Sequence, residues 1–344
     1  MTSMHETALA LVAPGKGILA ADESSGTIAK RFDSIGVDST EDARRRYRQL
    51  LFTTPGVGDH ISGAILFDET IRQSADDGRR FVQVLEEAGV IPGIKVDAGA
   101  KPLALFPGET VTEGLDGLRE RLAEYVELGA RFAKWRATIM IGASGSSDGV
   151  PTAAAIDANA HAMARYAALC QEAGVVPIVE PEILMDGDHD ITACEAATGR
   201  TLDSLYRALA DARVDLPGSL LKVNMIVPGK GSATQDDDAA IAEATIRCLS
   251  ANVPEEVPGV VFLSGGMSDE HATSRLNEMN RIGGSLPWRL SFSYGRALQA
   301  PSLAAWRGED ANVEAAQAAL AHRARMNGLA TSGEYRHELE TSAA

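Results

Sequence analysis

One lysine interrupts an otherwise apolar run and is the residue most suited to chemistry in this chain. Leu220, Leu221, Val223 and Met225 have the pattern of a short buried strand, and Lys222 lies among them. Burial of an ammonium group costs several kcal/mol unless the group is paired or loses its proton. A lysine that loses its proton becomes an amine nucleophile that attacks carbonyl carbons. The run therefore predicts either a Schiff-base lysine or a structural lysine paired with a buried carboxylate.

Charged side chains recur at the ends of other apolar runs. They are Asp22 after the first run, Lys95 and Asp97 in and after the third, Lys134 and Arg136 in the fourth, and Glu180 and Glu182 in the fifth. Lys134 and Arg136 are two residues apart, so they share one face of a strand. We expect these two cations to repel the charge of Lys222. We expect Glu180 to carry the protons of carbinolamine formation and dehydration.

Taken singly, these charges have ordinary explanations. Lys134 and Arg136 could be exposed cations beside a core tryptophan, and Glu180 and Glu182 could be solvated loop carboxylates. Asp22 could be a helix N-cap. Together they favour an active site, because a parallel barrel gathers the ends of all its strands at one mouth.

Two glycine-containing segments follow the last two apolar runs. Ser264-Gly265-Gly266 follows one, and Ser293, Gly295 and Arg296 follow the other. Glycines allow backbone amides to approach an oxyanion closely, and an arginine at a helix N-terminus adds a fixed positive charge. The segments therefore predict a phosphate site, although two ordinary glycine turns would have the same composition.

Eight apolar runs with the length of strands alternate with amphipathic helical stretches. The runs are Gly17–Ala21, Ile61–Phe67, Val90–Val96, Arg131–Thr138, Val175–Val179, Ser219–Met225, Val260–Leu263 and Trp288–Tyr294. Alternating strands and helices indicate parallel βαβ units, and eight such units favour a closed (β/α)8 TIM barrel of the α/β class. A doubly wound open sheet is the competing fold, but no glycine-rich dinucleotide turn follows the first run.

We expect a single barrel domain over residues 1–327 and a flexible C-terminal tail over residues 328–344, because the last stretch is polar and lacks periodicity. Residues 142–149 are predicted to form a turn-rich loop. The net charge of −16 argues against nucleic acid or an anionic membrane as the main partner. Three widely spaced cysteines and an N-terminus without a signal sequence favour a cytoplasmic location.

No function is predicted for two local motifs. Pro228-Gly-Lys-Gly-Ser232 resembles the end of a P-loop, but Asn224 stands where the leading glycine is required. Asp186-Gly-Asp-His-Asp190 could bind a metal, but its spacing supplies no pair of histidine ligands. We expect a solvated loop there and no metal site.

Several longer motifs, in order along residues 5 to 330, resemble class I fructose-1,6-bisphosphate aldolase. They are Gly15–Ser24, Gly93–Asp97, Phe132–Arg136, Val176–Leu184 with Asp186–Asp190, Leu220–Met225, Phe262–Gly266 and Phe292–Ala300. The resemblance implies a lyase of glycolysis and gluconeogenesis that cleaves fructose 1,6-bisphosphate to dihydroxyacetone phosphate and glyceraldehyde 3-phosphate. It also implies a phosphorylated sugar as the partner, no metal cofactor and a homo-oligomer, often a tetramer.

The resemblance also implies roles for individual residues. Lys222 would form the Schiff base, Glu180 would expel water as an acid/base, Lys134 would relay protons, and Asp22 would assist removal of the C4 hydroxyl proton. Glu182 belongs to the same catalytic set. The C1 phosphate would bind Ser264, Gly265, Gly266, Ser293, Gly295 and Arg296, the C6 phosphate would bind Lys95, Ser24, Thr27 and Arg31, and Arg136 would contact substrate.

Two departures from the family pattern carry expectations of their own. Val223 stands where the family usually has proline, which changes strand rigidity more than chemistry. No tyrosine ends the chain, and Tyr335 lies at a non-equivalent position. We therefore expect cleavage to be retained, with enamine protonation slower or performed by another group. Alternatives are a Schiff-base aldolase for another ketose phosphate, such as sedoheptulose 1,7-bisphosphate, and a protein-binding scaffold on the same fold.

Overall fold

The computed structural model of the chain describes residues 3–142 and 149–341, so residues 143–148 of the predicted loop lie outside the described part. The strands there are β1 (Gly17–Ala21), β2 (Ile61–Leu66), β3 (Ile91–Lys95), β4 (Ala100–Pro102), β5 (Thr110–Thr112), β6 (Phe132–Ile139), β7 (Val176–Ile183), β8 (Leu220–Val223), β9 (Gly259–Phe262) and β10 (Arg289–Tyr294). Eight of them form a closed parallel barrel in the order β1-β2-β3-β6-β7-β8-β9-β10, with β10 beside β1. The predicted (β/α)8 barrel is confirmed. The short strands β4 and β5 form a separate antiparallel hairpin.

Helices surround the barrel and connect most of its strands. They are α1 (Met4–Leu11), α2 (Ser25–Asp33), α3 (Glu41–Phe52), α4 (Val57–His60), α5 (Asp68–Ile71), α6 (Phe81–Glu87), α7 (Leu118–Leu128), α8 (Ala153–Glu172), α9 (Ile191–Asp211), α10 (Asp238–Asn252), α11 (Asp269–Ile282), α12 (Arg296–Trp306) and α13 (Val313–Ala330). Among the described residues, no helix is long and apolar enough to cross a membrane.

Apolar side chains fill the N-terminal end of the barrel, and helix α1 closes it. Inward-facing strand residues pack there in one cluster with residues of α1 and its C-cap: Ile18, Ala20, Ile65, Phe132, Val176, Ile178, Leu220, Val261, Ala8, Leu11 and Val12. Because parallel barrel strands are buried on both faces, near-continuous apolar sequence is what such strands require. The packed end leaves only the C-terminal ends of the strands available for a site.

The inward face of three strands changes from apolar to charged toward the C-terminal end. Since strand side chains alternate between faces, residues two positions apart point the same way. On β6, Lys134 and Arg136 therefore follow Phe132 into the barrel, while Trp135 points outward and packs 5.5 Å from Tyr166, measured between ring centroids. By the same alternation, Glu180 and Glu182 on β7 and Lys222 on β8 point into the barrel.

The C-terminal segment differs from the expected flexible tail. Helix α13 continues to Ala330, across the boundary predicted at residue 328. The buried Arg323 of α13 binds the Glu340 carboxylate at 2.6 Å, and the Tyr335 hydroxyl donates to the same carboxylate at 2.9 Å. Tyr335 and Leu339 also pack on the hydrophobic core. These few contacts hold residues 331–341 against the helices and leave no periodic pattern in the sequence. Residues 342–344 lie outside the described part.

Gly93 in β3 leaves space for the Phe132 ring inside the barrel. This packing makes a prediction about stability. A Cβ at Gly93 would lie 2.3 Å from Phe132 Cζ, so Gly93→Ala is expected to lower the free energy of unfolding by about 1–3 kcal/mol. Gly26→Ala is the matched control, because nothing lies within 4 Å of the added Cβ in helix α2. Urea unfolding of both variants measures the difference, and equal stability of the two would contradict this packing.

Candidate active site

A pocket of about 500 Å³ opens at the C-terminal ends of the barrel strands. Every residue that the sequence predicts for the site lines this pocket: Asp22, Ser24, Thr27, Arg31, Lys95, Lys134, Arg136, Glu180, Glu182, Lys222, Ser264, Gly265, Gly266, Ser293, Gly295 and Arg296. Pocket-lining residues that sequence reasoning did not assign include Glu23, Asp186 and Lys230. The structure thus brings the predicted residues together, while their individual roles stay predictions.

The carboxylate of Glu180 lies between two buried lysines at the base of the pocket. Its Oε1 is 3.1 Å from Lys222 Nζ, and its Oε2 is 3.2 Å from Lys134 Nζ. The exposed fraction of each of the three side chains is 5% or less. Glu180 Oε2 has no partner in hydrogen-bond geometry among the described residues, so it can accept a hydrogen bond from a bound molecule.

Lys134 also contacts two further carboxylates. Its Nζ is 2.8 Å from Asp22 Oδ2 and 3.9 Å from Asp97 Oδ2. Asp97 in turn pairs with Lys95 at 2.6 Å and accepts a hydrogen bond from the Arg136 backbone amide at 3.2 Å. The lysines and carboxylates of this cluster therefore alternate in space, which limits the electrostatic cost of burying them.

The pKa values of three of these groups follow from that arrangement. Burial acts to raise the pKa of Asp22 and Glu180, but the nearby charges of Lys134 and Lys222 outweigh burial and hold both pKa values below their usual range. Burial acts to lower the pKa of Lys134, but Asp22, Glu180 and Asp97 outweigh it and raise that pKa. At neutral pH in the empty pocket, Asp22 and Glu180 are therefore ionised and Lys134 is charged.

The expectation that Lys134 and Arg136 repel the charge of Lys222 stays a prediction. Both cations have carboxylate partners of their own: Lys134 lies beside Asp22 and Glu180, and the Arg136 guanidinium pairs with Glu182. The charged group nearest to Lys222 is the Glu180 carboxylate. Sequence reasoning placed these residues on the correct strand faces but could not show which opposite charges would meet across adjacent strands.

The residues predicted to form a phosphate cradle lie in the loop after β9 and at the end of β10. Gly265 and Gly266 have positive φ values of 54° and 98°, a backbone conformation that side chains other than glycine rarely adopt. The Ser293 hydroxyl is buried and has no hydrogen-bond partner among the described residues. Arg296 is the first residue of helix α12, whose N-terminal amides favour an anion.

Beside the end of β10, the pocket is lined by residues from the end of β1 and from helix α2. Ser24 is the N-cap of α2, and its hydroxyl lies 3.1 Å from that of Thr27. Arg31 pairs with the buried Glu23, which also binds the buried Arg48 at 2.6 Å. Glu23 thus fixes Arg31 at the pocket. No sequence pattern indicates this role, because Arg48 approaches from helix α3.

Tyr335 lies outside the pocket, as its sequence position suggests. Its hydroxyl donates to Glu340, and burial together with that carboxylate raises the pKa of Tyr335. Residues 186–190, where a solvated loop was expected, are exposed except for the buried His189. No group of three or more metal-ligating side chains is present in residues 3–142 and 149–341.

The family model for class-I fructose-bisphosphate aldolase matches residues 3–344. The chain belongs to this family. The predicted aldolase function, a lyase activity of glycolysis, is confirmed by this match and by the full-length relatives. Class I aldolases act through a Schiff base and not through a metal ion.

Similar proteins cover the chain almost completely. A probable class 1 fructose-bisphosphate aldolase of Xanthomonas campestris pv. campestris is 56% identical over 97% of this chain and 98% of the relative. The cytosolic fructose-bisphosphate aldolase 4 of Arabidopsis thaliana is 54% identical over 95% of this chain and 82% of the relative. The aldolase of Plasmodium falciparum, solved with TRAP and a small-molecule inhibitor, has a TM-score of 0.95 and 47% identity over 97% of this chain and 95% of its own.

The lowered pKa of Asp22 makes a prediction about acid stability. A carboxyl whose folded-state pKa is below its unfolded value stabilises the fold above the unfolded pKa, and this contribution is lost as pH falls toward the folded pKa. Asp22→Asn is expected to lower the free energy of unfolding at pH 7 by about 2 kcal/mol. The difference from the unsubstituted chain should shrink below about pH 4, where unfolded aspartate binds a proton.

Denaturant unfolding from pH 7 to pH 3 measures this dependence. Asp77→Asn is the control, because Asp77 is an exposed surface carboxylate paired with Arg79. A stability difference for Asp22→Asn that stays constant from pH 7 to pH 3 would contradict the ion pair with Lys134.

Proposed function

We propose that Lys222 is the amine that forms the Schiff base with fructose 1,6-bisphosphate, and that Glu180 moves the protons of that step. The observation that carries the proposal is the pair itself: a buried lysine 3.1 Å from a buried carboxylate at the base of the pocket. Among the described residues, Glu180 is the carboxylate within ion-pair distance of Lys222, whereas Lys134 contacts three carboxylates. The Glu180 carboxylate therefore lies where it can accept a proton from Lys222.

The proton balance of Schiff-base formation closes with these two residues. The ammonium of Lys222 transfers one proton to Glu180, and the neutral amine adds to the C2 carbonyl carbon. A proton then moves from nitrogen to the C2 oxygen, which gives the neutral carbinolamine. Glu180 returns its proton to the departing hydroxyl, so water leaves and the iminium forms. Glu180 Oε2, which has no hydrogen-bond partner among the residues that the structure describes, is the atom suited to donate that proton to the hydroxyl.

Carbon–carbon cleavage needs a base near the C4 hydroxyl and an electron sink at C2. We assign the first role to Asp22, which is ionised and oriented by Lys134 at 2.8 Å. As the C4 hydroxyl loses its proton, the C3–C4 electron pair moves into the iminium and leaves an enamine. One proton later returns to C3. Lys134 is charged and contacts both Asp22 and Glu180. It therefore connects the two carboxylates to which we assign proton transfers.

The pocket offers two sets of residues for the two phosphates. For the C1 phosphate we propose the backbone of Gly265, Gly266 and Gly295, the Ser264 and Ser293 hydroxyls, and Arg296. For the C6 phosphate we propose Ser24, Thr27, Arg31 and Lys95. The Ser293 hydroxyl, which has no hydrogen-bond partner within residues 3–142 and 149–341, supports the first assignment, and the ion pair that holds Arg31 at Glu23 supports the second. Arg136 and Glu182 form one ion pair at the side of the pocket, where they can position the sugar chain.

Replacement of Lys222 tests the proposed nucleophile. Lys222→Met should abolish cleavage of fructose 1,6-bisphosphate and abolish the mass increase that borohydride reduction produces in the presence of dihydroxyacetone phosphate. Intact-protein mass spectrometry measures the adduct. Lys101→Met is the matched control, because Lys101 is an exposed lysine on β4. A reduced adduct of normal yield on the Lys222→Met protein would refute the assignment.

Replacement of Glu180 tests the proton carrier separately. Glu180→Gln keeps the size of the side chain but removes the acid, so kcat is expected to fall by about 10²–10⁴-fold. The variant should lose rate mainly in dehydration of the carbinolamine, which rapid-quench trapping of the iminium measures. Iminium formation at the unsubstituted rate would show that another group carries these protons.

We also propose a homo-oligomer, a tetramer as the family resemblance implies, and a cytoplasmic location. The cytosolic relative from Arabidopsis thaliana supports the second point. Sedimentation equilibrium of the purified chain measures the oligomeric state, and cell fractionation measures the location.

A further inference from the structure

The loop after β8 is bound to the loop after β7 by consecutive backbone hydrogen bonds. The amides of Gly229, Lys230 and Gly231 donate to the carbonyls of His189, Met185 and Gly187, each at 2.8 Å. A Cβ at Gly229 would lie 2.4 Å from the Gly187 carbonyl oxygen, so the two loops are in tight contact. The backbone of Lys230 is therefore fixed at the rim of the pocket, although its side chain is half exposed.

The side chain of Lys230 points toward the phosphate cradle. A Cβ built on Gly266 would lie 3.2 Å from Lys230 Nζ and 3.6 Å from Arg296 Nη2. The two cations therefore approach the same glycine of the cradle. Two cations converge in this way where an anion with more than one negative charge binds, because each can contact a different oxygen.

Asp186 holds Lys230 in the empty pocket. The two charged atoms are 3.3 Å apart, and the exposed fractions of the side chains are 49% and 68%. An ion pair this exposed is weak, since water screens it. The Lys230 ammonium can therefore leave Asp186 and bind a phosphate dianion in the cradle with little loss of free energy.

We propose that Lys230 is a further phosphate-binding residue that contacts the C1 phosphate together with Arg296, and that Asp186 holds it in place when the pocket is empty. The inference rests on the proposed function, because it takes the C1 phosphate to lie in the cradle of Gly265 and Gly266. It gives a role to Pro228-Gly-Lys-Gly-Ser232, whose lysine binds phosphate by its position at the rim and not as part of a P-loop.

Steady-state kinetics with two substrates tests this inference. Fructose 1,6-bisphosphate and fructose 1-phosphate share the C1 phosphate, and only the first has a C6 phosphate. Lys230→Met is expected to raise KM for both substrates by about fivefold, equivalent to about 1 kcal/mol, with kcat changed less than about twofold. Lys230→Arg should restore most of the loss because it keeps the charge.

Two further variants serve as controls. Lys101→Met removes the same charge from β4, where Ala100 lines the pocket and Lys101 points to the opposite face, so its KM should not change. Asp186→Asn removes the carboxylate that competes for Lys230, so it should lower KM or leave it unchanged. A KM that rises in Asp186→Asn as much as in Lys230→Met would show that the ion pair merely supports the loop, and would overturn the inference.

The failure of this inference differs from the failure of the proposed function. An active chain in which Lys230→Met leaves KM unchanged for both substrates overturns the role of Lys230 alone. A rise in KM for fructose 1,6-bisphosphate only would place Lys230 at the C6 phosphate and also overturns it. If the unsubstituted chain formed no borohydride-reduced adduct at Lys222, the proposed function itself would be refuted.

Discussion

The contact on which the site depends is the Glu180 carboxylate shared between Lys134 and Lys222. Its two oxygens lie 3.2 Å and 3.1 Å from the lysine nitrogens in a nearly dry part of the barrel. A buried charge without a partner is strongly destabilising, and among the described residues Glu180 is the carboxylate that pairs with Lys222, whereas Lys134 also pairs with Asp22. The same contact places a proton acceptor beside an amine nucleophile, which is what carbonyl addition requires.

The barrel makes this arrangement possible because apolar residues occupy the N-terminal end of β6, β7 and β8, and charged residues occupy the C-terminal end. Phe132 and its apolar neighbours fill the N-terminal end, and the side chains two residues further along the same faces are charged. The apolar layer below contributes the burial. The register places Arg136 opposite Glu180, and the ion pairs form diagonally across β6 and β7, Lys134 with Glu180 and Arg136 with Glu182. Catalytic residues on rigid strands are held more precisely than residues on loops.

Most of the fold and the membership of the site could be predicted from the sequence, because both depend on local periodicity. All eight predicted runs are barrel strands, and Lys222 and Glu180 lie on the inward faces. The pairing of charges could not be predicted: Arg48 reaches Glu23 from helix α3, 25 residues away. Glu340 likewise binds Arg323 through an ordered segment whose polar sequence indicated a tail. Such contacts depend on tertiary packing and leave no pattern at short range.

The central claim is that Lys222 is the nucleophile and that the cradle of Gly265 and Gly266 orients the substrate toward it. The most direct test is a crystal structure of the protein soaked with dihydroxyacetone phosphate. The account predicts continuous electron density from Lys222 Nζ to C2 of the ligand, with its phosphate against Gly265, Gly266 and Arg296. A covalent bond to Lys134, or a phosphate bound at the wall formed by Ser24 and Arg31, would contradict it.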